Sequence, residues 1–168
     1  MTTVSRSDMD DIVRRLGRLE DERAVLDVLF RYAQTMDHGS DADWLDLFTD
    51  DAVYDILGGE TASSFLSGRG GTVHANGIRF SGRAELARFI AGRSRVQGRE
   101  TKHFFTQPIV RLDGDEARVE SYYLAAADQG GARDIYGVGR NLDWFVRGVD
   151  GRWRFRRRIS LPPGASYP

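Results

Sequence analysis

The sequence predicts an α+β fold in which helices near the N-terminus pack on a meander of long antiparallel strands. Three observations support this prediction. Helical periodicity fills residues 9–37, strand-like alternation fills most of the chain after Thr101, and two Asp-Gly pairs separate strand patterns. Helices followed by runs of strands are typical of α+β domains, in which helices cover one face of an antiparallel sheet.

The first helix is predicted over residues 9–37, because apolar residues recur there at the i, i+3, i+4, i+7 spacing of one buried stripe. Gly17 or the acidic cluster at 20–22 could divide it into an arm and a main helix. His38-Gly39-Ser40 is predicted to end this helix, since glycine terminates helices well and serine caps the next one.

A short second helix at residues 43–48 and a first strand at 51–57 should follow. Residues 58–80 are rich in Gly, Ser and Thr and are predicted to form a long loop, either a lid over a pocket or a disordered segment. A third helix opens at Ser81, with Glu85 near its start and a short apolar stripe behind it.

The remaining strands are predicted at residues 101–112, 116–127, 135–149 and 151–161. Asp113-Gly114 and Asp150-Gly151 are predicted to be hairpin turns, since glycine takes a positive φ without steric cost. The chain should form one domain over residues 1–168, with 162–168 as a tail.

Composition excludes several function classes. The 168-residue chain has a formal net charge of −1, so no positive field favours nucleic acid or anionic lipid, and we expect neither partner. It has no cysteine, which excludes disulfides and thiolate chemistry. No apolar run approaches the ~18 residues of a membrane span, and the N-terminus carries no apolar leader, so the expected location is cytoplasmic.

An acid and a histidine stand where the patterns predict buried side chains. Asp37 continues the helical stripe of Leu26, Phe30 and Ala33, and His103 shares a strand face with Phe105, Gln107 and Ile109. A carboxylate that accepts from one imidazole nitrogen leaves the other nitrogen available as a base, so the pair could transfer protons. The alternative is a helix-capping Asp37 and a core or rim histidine.

Other polar residues are weaker candidates. Tyr32 lies about 140° from Asp37 around an ideal helix and shares a pocket with it only if its long side chain reaches round. Asn141 and Asp143 share a strand face, and Tyr54 and Tyr123 lie on other strands. The alternating arginines 152, 154, 156 and 158 are interpreted as a solvated face or a set of salt bridges, with binding of an acid group as the alternative. The histidines are not spaced as metal ligands, so no metal is expected.

The motifs resemble those of a known family. Residues 22–37, 44–54, Lys102-His103 and 139–143 resemble the SnoaL-like branch of the NTF2-like superfamily. The resemblance implies a cone-shaped barrel, in which a curved antiparallel sheet is wrapped by N-terminal helices around one small-molecule pocket. One departure concerns the Gly-x-Tyr-x-Asp pattern of many members, since Asn141 replaces the tyrosine here.

The resemblance also implies roles for individual residues. The Tyr32-x4-Asp37 pattern followed by His103 is similar to the Asp–His arrangement of scytalone dehydratase, bile-acid 7α-dehydratase and dehydrochlorinase type proteins. By this resemblance His103 would be the base, Asp37 its orienting partner and Tyr32 a donor to substrate, with no cofactor. The residues expected to bind substrate are Asn141, Tyr54, Phe105, Gln107, Trp44 and Tyr123.

Several functions remain open at this point. The first is a lyase of the dehydratase type that acts on a cyclic, polyketide-like or steroid-like hydroxy-carbonyl compound. A polyketide cyclase or isomerase could use the same pocket, the chain could be the structural β subunit of a ring-hydroxylating dioxygenase, or it could bind a small molecule without chemistry. A homodimer is expected, with a trimer as the alternative, because Tyr, Trp and Val alternate along residues 136–146 on the expected outer face of the sheet.

Overall fold

Within the part of the chain that the structure describes, three α-helices cover one face of the sheet. The computed structural model describes residues 5–58, 66–92 and 99–165. Helix α1 is Arg6–Asp37, α2 is Asp41–Leu45 and α3 is Gly82–Ala91. Helix α1 runs unbroken through Gly17, and capping boxes at Ser5 and Ser40 satisfy the first amides of α1 and α2. At α3 the Ser81 backbone N–H donates to the Glu85 carboxylate at 2.7 Å.

Seven strands form one curved sheet that does not close into a barrel within the described residues. Its order is β2-β3-β1-β7-β6-β5-β4, and β1 runs parallel to β7 while all other neighbours are antiparallel. The strands are β1 Phe48–Leu57, β2 Thr72–His74, β3 Gly77–Ser81, β4 Arg99–Asp113, β5 Glu116–Gln129, β6 Ala132–Arg147 and β7 Trp153–Leu161. The α+β prediction is therefore confirmed.

The prediction of a continuous loop over residues 58–80 is wrong for its second half. Strands β2 and β3 form a hairpin there, with His74 opposite Gly77 and two residues between them. Asn76 of the connection and Gly77, the first residue of β3, form an Asn-Gly turn signal. Gly77 has φ 152° beside the Ile56 carbonyl, where a side chain would not fit. Residues 59–65, where a lid was expected, lie outside the described part of the chain.

The main core lies between the helices and the inner face of the sheet. Aromatic rings dominate its centre. The Trp44 and Phe48 rings are tilted against each other with centroids 4.4 Å apart, and Phe48 stacks on Phe155 with centroids 5.1 Å apart. A smaller apolar cluster on the outer face consists of Leu57, Leu142, Ile159 and Leu161. The core fixes the helices over one end of the sheet and leaves a cavity beside it.

Three β-bulges between antiparallel neighbours change which side chains face inward, in addition to a register shift between Phe48 and Val53 of β1. Each bulge inserts one extra residue, at Gln107-Pro108 in β4, at Tyr136 in β6 and at Arg156 in β7. Because side chains alternate between the faces of a strand, one extra residue moves all later side chains to the opposite face. The bulges therefore overturn three expectations that rested on unbroken alternation.

The first correction concerns β4, where Gln107 has φ 51° and an exposed side chain, and Ile109 is 56% exposed. The second concerns the arginines of β7, because Arg158 turns inward and becomes fully buried while Arg157 faces outward. The third concerns Tyr136, which was expected on the outer face and instead lines the cavity.

Candidate active site

A cavity of about 310 Å³ lies between α1, α3 and the inner face of the sheet. This volume is at the lower end of the range for small-molecule sites, so a compound of one or two rings fits it. Its apolar walls come from Met36, Ile56, Leu66, Phe89 and Phe105. Its polar groups are Tyr32, Tyr54, Arg69, Thr101, His103, Tyr123, Tyr136, Asn141, Arg158 and Ser160.

Asp37 and His103 are in direct contact at the wall of this cavity. The His103 Nδ1 atom lies 2.5 Å from the Asp37 Oδ1 atom, and the His103 backbone N–H donates to Asp37 Oδ2 at 2.8 Å. Thr101 donates to the same carboxylate at 3.4 Å. The Asp37 side chain is 6% exposed and the His103 side chain 23% exposed. An acidic partner on Nδ1 fixes this nitrogen as the N–H donor and leaves Nε2 as the acceptor.

Tyr136 completes a row of three polar groups with Asp37 and His103. Sequence analysis did not identify Tyr136 as a site residue. Its hydroxyl lies 3.1 Å from His103 Nε2, the nitrogen opposite the Asp37 contact. Tyr136 is 44% exposed, so it stands at the open side of the cavity. Its inward position depends on the bulge in β6, which no residue in the sequence signals clearly.

A chain of hydroxyl groups crosses the inner part of the cavity. Tyr32 donates to Tyr54 at 3.4 Å, Tyr54 and Ser160 are 3.1 Å apart, and Ser160 donates to the Asn141 Oδ1 atom at 2.8 Å. Burial, with Tyr54 adding to it, raises the pKa of Tyr32 well above its usual range. Burial also raises the pKa of Tyr123 to about 12. Both phenols therefore stay protonated and can donate hydrogen bonds at neutral pH.

A buried ion pair lies beneath the hydroxyl chain. The Nε atom of Arg158 is 3.6 Å from an oxygen of Asp143, and the two side chains are 1% and 0% exposed. The guanidinium also lies over aromatic rings, 4.0 Å from the ring centre of Tyr32 and 4.5 Å from that of Phe105. Burial raises the pKa of Asp143 to about 7, with Arg158 opposing the shift.

The structure places most of the expected site residues together, and two of them elsewhere. Tyr32, Tyr54, Phe105, Tyr123 and Asn141 line the cavity with Asp37's partner His103. Trp44 is fully buried in the aromatic core, and Gln107 is exposed at the β4 bulge. Both residues were expected to bind substrate, and neither lines the cavity.

The described residues form no second candidate site for a metal or a small molecule. No group of three or more His, Asp or Glu side chains within residues 5–58, 66–92 and 99–165 could hold a metal ion. A larger groove of about 700 Å³ lies on the outer face of the sheet. Its arginines pair with nearby acids, such as Arg157 with Asp55 at 3.0 Å and Arg156 with Glu116 at 3.3 Å, so we interpret it as a solvated, ion-paired surface.

The chain matches the protein family described as SnoaL-like domain over residues 17–159. No curated protein matches the chain. No helix in the described residues is long and apolar enough to cross a membrane.

Solved structures share the fold. An NTF2-like protein with a cystatin-like fold from Novosphingobium aromaticivorans is 23% identical with a TM-score of 0.76, covering 96% of this chain and 94% of its own. A protein from the same organism described as the β subunit of an aromatic-ring-hydroxylating dioxygenase is 18% identical, with a TM-score of 0.69 and coverage of 90% and 95%. A structure from Catenulispora acidiphila in complex with S-DNPA is 18% identical, with a TM-score of 0.65 and coverage of 84% and 94%.

Proposed function

The chain belongs to the SnoaL-like domain family, and on that premise we propose that it is a cofactor-independent lyase of the dehydratase type. Its substrate would be a small cyclic hydroxy-carbonyl compound, polyketide-like or steroid-like in character. The observation that carries this proposal is the 2.5 Å contact between Asp37 and His103 Nδ1 at the wall of the cavity. Such a pair presents a base to whatever the cavity holds.

The proposed reaction begins with removal of a proton from the carbon beside the substrate carbonyl. His103 Nε2 accepts this proton after the substrate displaces the Tyr136 hydroxyl, and Asp37 stabilises the resulting imidazolium. The negative charge moves to the carbonyl oxygen, where Tyr32 can donate, since its present hydrogen bond to Tyr54 is long at 3.4 Å. The β-hydroxyl group then leaves with a proton from the imidazolium, giving water and a conjugated carbonyl product.

A dehydration assay tests the proposal. Cyclic ketones with a β-hydroxyl group are incubated with the protein, and the absorbance of the conjugated product is followed. We expect His103→Ala to lower kcat by about 100-fold or more, because general-base catalysis contributes roughly 10²–10⁴. The matched control is His38→Ala, since His38 is exposed and contacts Lys102, at 2.6 Å, outside the cavity. Full turnover by the His103→Ala variant would refute the mechanism.

Other functions use the same fold. A cyclase or isomerase would share the proton removal and differ in the product, which mass spectrometry of the same reactions identifies. The fold shared with a dioxygenase β subunit leaves a structural role as the alternative. A stable complex with a large iron–sulfur subunit, together with no effect of His103→Ala, would favour that role. Binding without turnover would favour a carrier.

We also infer a homodimer and a cytoplasmic location. A row of apolar side chains crosses three strands on the outer face, where Phe104 is opposite Leu124 and Leu124 is opposite Val138. Phe104 is 53% exposed and Val138 44% exposed, with Tyr122 close by at 52%. Covering this apolar row by a second copy would remove it from water.

A further inference from the structure

The inner end of the cavity holds a cation whose side chain has no hydrogen-bond partner among the described residues. Arg158 lines the cavity and is 1% exposed, yet its Nε, Nη1 and Nη2 atoms make no hydrogen bond to any residue that the structure describes. A guanidinium carries five N–H donors in a planar fork. Burial of such a group is costly unless its donors are satisfied.

Asp143 does not satisfy the guanidinium. At 3.6 Å from Arg158 Nε it lies beyond a hydrogen bond, and neither of its oxygens has a hydrogen-bond partner among the described residues. The aromatic rings of Tyr32, Phe105 and Phe155 contact the guanidinium through their faces, at 4.0, 4.5 and 5.2 Å. These contacts attract the charge but accept no N–H group in its plane. Arg158 therefore keeps hydrogen-bonding capacity for an acceptor in the cavity.

A second unsatisfied donor stands in the same wall. Asn141 is 1% exposed, its Oδ1 atom accepts from Ser160, and its Nδ2 atom has no partner among the described residues. The Ser160 hydroxyl gives its hydrogen to Asn141, so in the 3.1 Å contact between Tyr54 and Ser160 the Tyr54 hydroxyl is the donor. This end of the cavity thus offers donors and a positive charge to a ligand, and few acceptors.

We propose that the substrate is a carboxylic acid whose carboxylate binds Arg158 and Asn141 at the inner end of the cavity. This inference rests on the proposed function and names the substrate class for the same site. Two planar oxygens match the guanidinium fork, and charge-assisted bonds of this kind are among the strongest in proteins. The acid group then anchors the compound while its reacting carbon faces His103, so the substrate is a cyclic hydroxy-keto acid.

Binding of a matched pair of probes tests the inference. 1-Naphthoate and 1-naphthamide have the same shape and differ in charge, and their Kd values are measured by isothermal titration calorimetry at pH 7. We expect the wild-type protein to bind the acid about tenfold or more tightly than the amide, because a desolvated charge-assisted pair has that magnitude. Equal affinity for the two probes would overturn the inference without any variant.

Two variants test whether Arg158 is the residue that causes the preference for the acid over the amide. Asp143→Asn alone keeps the cation, and we expect it to retain the preference for the acid. Adding Arg158→Gln in that background leaves no buried charge unpaired, and we expect the preference to fall below about twofold while the affinity for the amide changes little. An unchanged preference in the double variant would place the anion elsewhere and refute the assignment to Arg158.

The inference and the proposed function fail in different ways. His103→Ala should keep the preference for 1-naphthoate over 1-naphthamide, since the carboxylate binds Arg158 and not His103 in this scheme. If the acid is preferred but no compound is turned over, the cavity is an acid-binding site and the lyase proposal is wrong. If neutral ketones are turned over in a His103-dependent way without any preference for acids, the carboxylate inference is wrong and the lyase proposal stands.

Discussion

Asp37 holds His103 through both its ring and its backbone. The carboxylate accepts from Nδ1 at 2.5 Å and from the backbone N–H at 2.8 Å, so the imidazole has one orientation and one tautomer. We predict that Asp37→Asn lowers kcat by about 100-fold with KM changed by less than about threefold, because the neutral amide cannot stabilise the imidazolium. Steady-state dehydration kinetics measure both constants. Unchanged kcat would exclude Asp37 from the mechanism.

Asp143 should make stability depend on pH. Burial raises its pKa from 3.8 to about 7, against the opposing effect of Arg158, and Tyr32 of α1 faces the same pair. The folded chain therefore holds this proton more tightly than the unfolded chain, so stability falls as the pH rises towards 7 and levels off above it. We predict that Tm decreases between pH 5 and 8, and that Asp143→Asn, although less stable overall, loses most of this slope.

Differential scanning calorimetry at matched pH values checks this prediction. Ionisable groups that the two proteins share contribute alike to both curves and cancel in the difference between them. Parallel curves for the wild-type protein and Asp143→Asn would show that Asp143 titrates at its ordinary pH in the folded chain.

The sequence identifies some site residues and misses others because β-bulges interrupt the alternation of side chains between the two faces of a strand. The position of His103 follows from a strand alternation that runs unbroken up to it. The position of Asp37 follows from a helical stripe that is only partly buried, since Ala33 is 7% exposed and Phe30 is 38% exposed. Arg158 and Tyr136 come after or at bulges, where alternation fails. Trp44 was misplaced because a large aromatic residue fits a core and a pocket equally well by pattern.

Among the elements, the central strand β1 is held to both neighbours by one carboxylate. Asp55 is 1% exposed and accepts from Arg79 of β3 at 2.6 and 3.0 Å and from Arg157 of β7 at 3.0 Å. Although burial raises the pKa of Asp55, these hydrogen bonds hold it below its usual range. The interaction joins three strands that are distant in sequence.

We predict that Asp55→Asn lowers the free energy of unfolding by about 2 kcal/mol, the magnitude of lost hydrogen bonds to a charged group. The matched control is Asp50→Asn on the same strand, since that side chain is 90% exposed and 3.6 Å from Arg83. The control should change stability by less than about 0.5 kcal/mol. Urea denaturation gives both values, and equal effects of the two substitutions would contradict the role of Asp55.

The sequence predicts which segments are helices and strands more readily than it predicts which face of the sheet each side chain occupies. The helical stripe, the Asp-Gly turns and the long strands are strong local signals, and the observed bounds lie close to them. The short β2–β3 hairpin was missed because five and three residues give little periodicity, although Asn76-Gly77 signals the turn. Bulges are set by pairing between strands, which a single strand's sequence does not encode.

For the whole molecule, the outer apolar row predicts self-association. We predict that light scattering of the wild-type protein gives twice the chain mass of 18.9 kDa. Phe104→Glu should give a monomer, since it places a charge in the middle of the covered row. Leu16→Glu is the control, because Leu16 is similarly exposed, at 53%, on α1 away from this face. A wild-type monomer, or a dimer that persists in Phe104→Glu, would refute this interface.

The global architecture was predictable because helices and strands are segregated along the chain. The cavity's inner end was not, since its charge arises only when the β7 bulge turns Arg158 inward beside Asn141 and Asp143. The chemistry of the site thus combines a dyad that local patterns indicate with a cation that depends on the packing of the complete sheet.

The most direct test of the central claim is deuterium exchange into a cyclic ketone that lacks the β-hydroxyl group. Such a compound cannot lose water, so exchange at the carbon beside its carbonyl in D₂O reports proton removal alone. NMR follows the exchange with the wild-type protein, His103→Ala and the His38→Ala control. We predict exchange with the wild-type protein and with His38→Ala, and a loss of about 100-fold or more with His103→Ala. Equal exchange rates for all three proteins would contradict proton abstraction by His103.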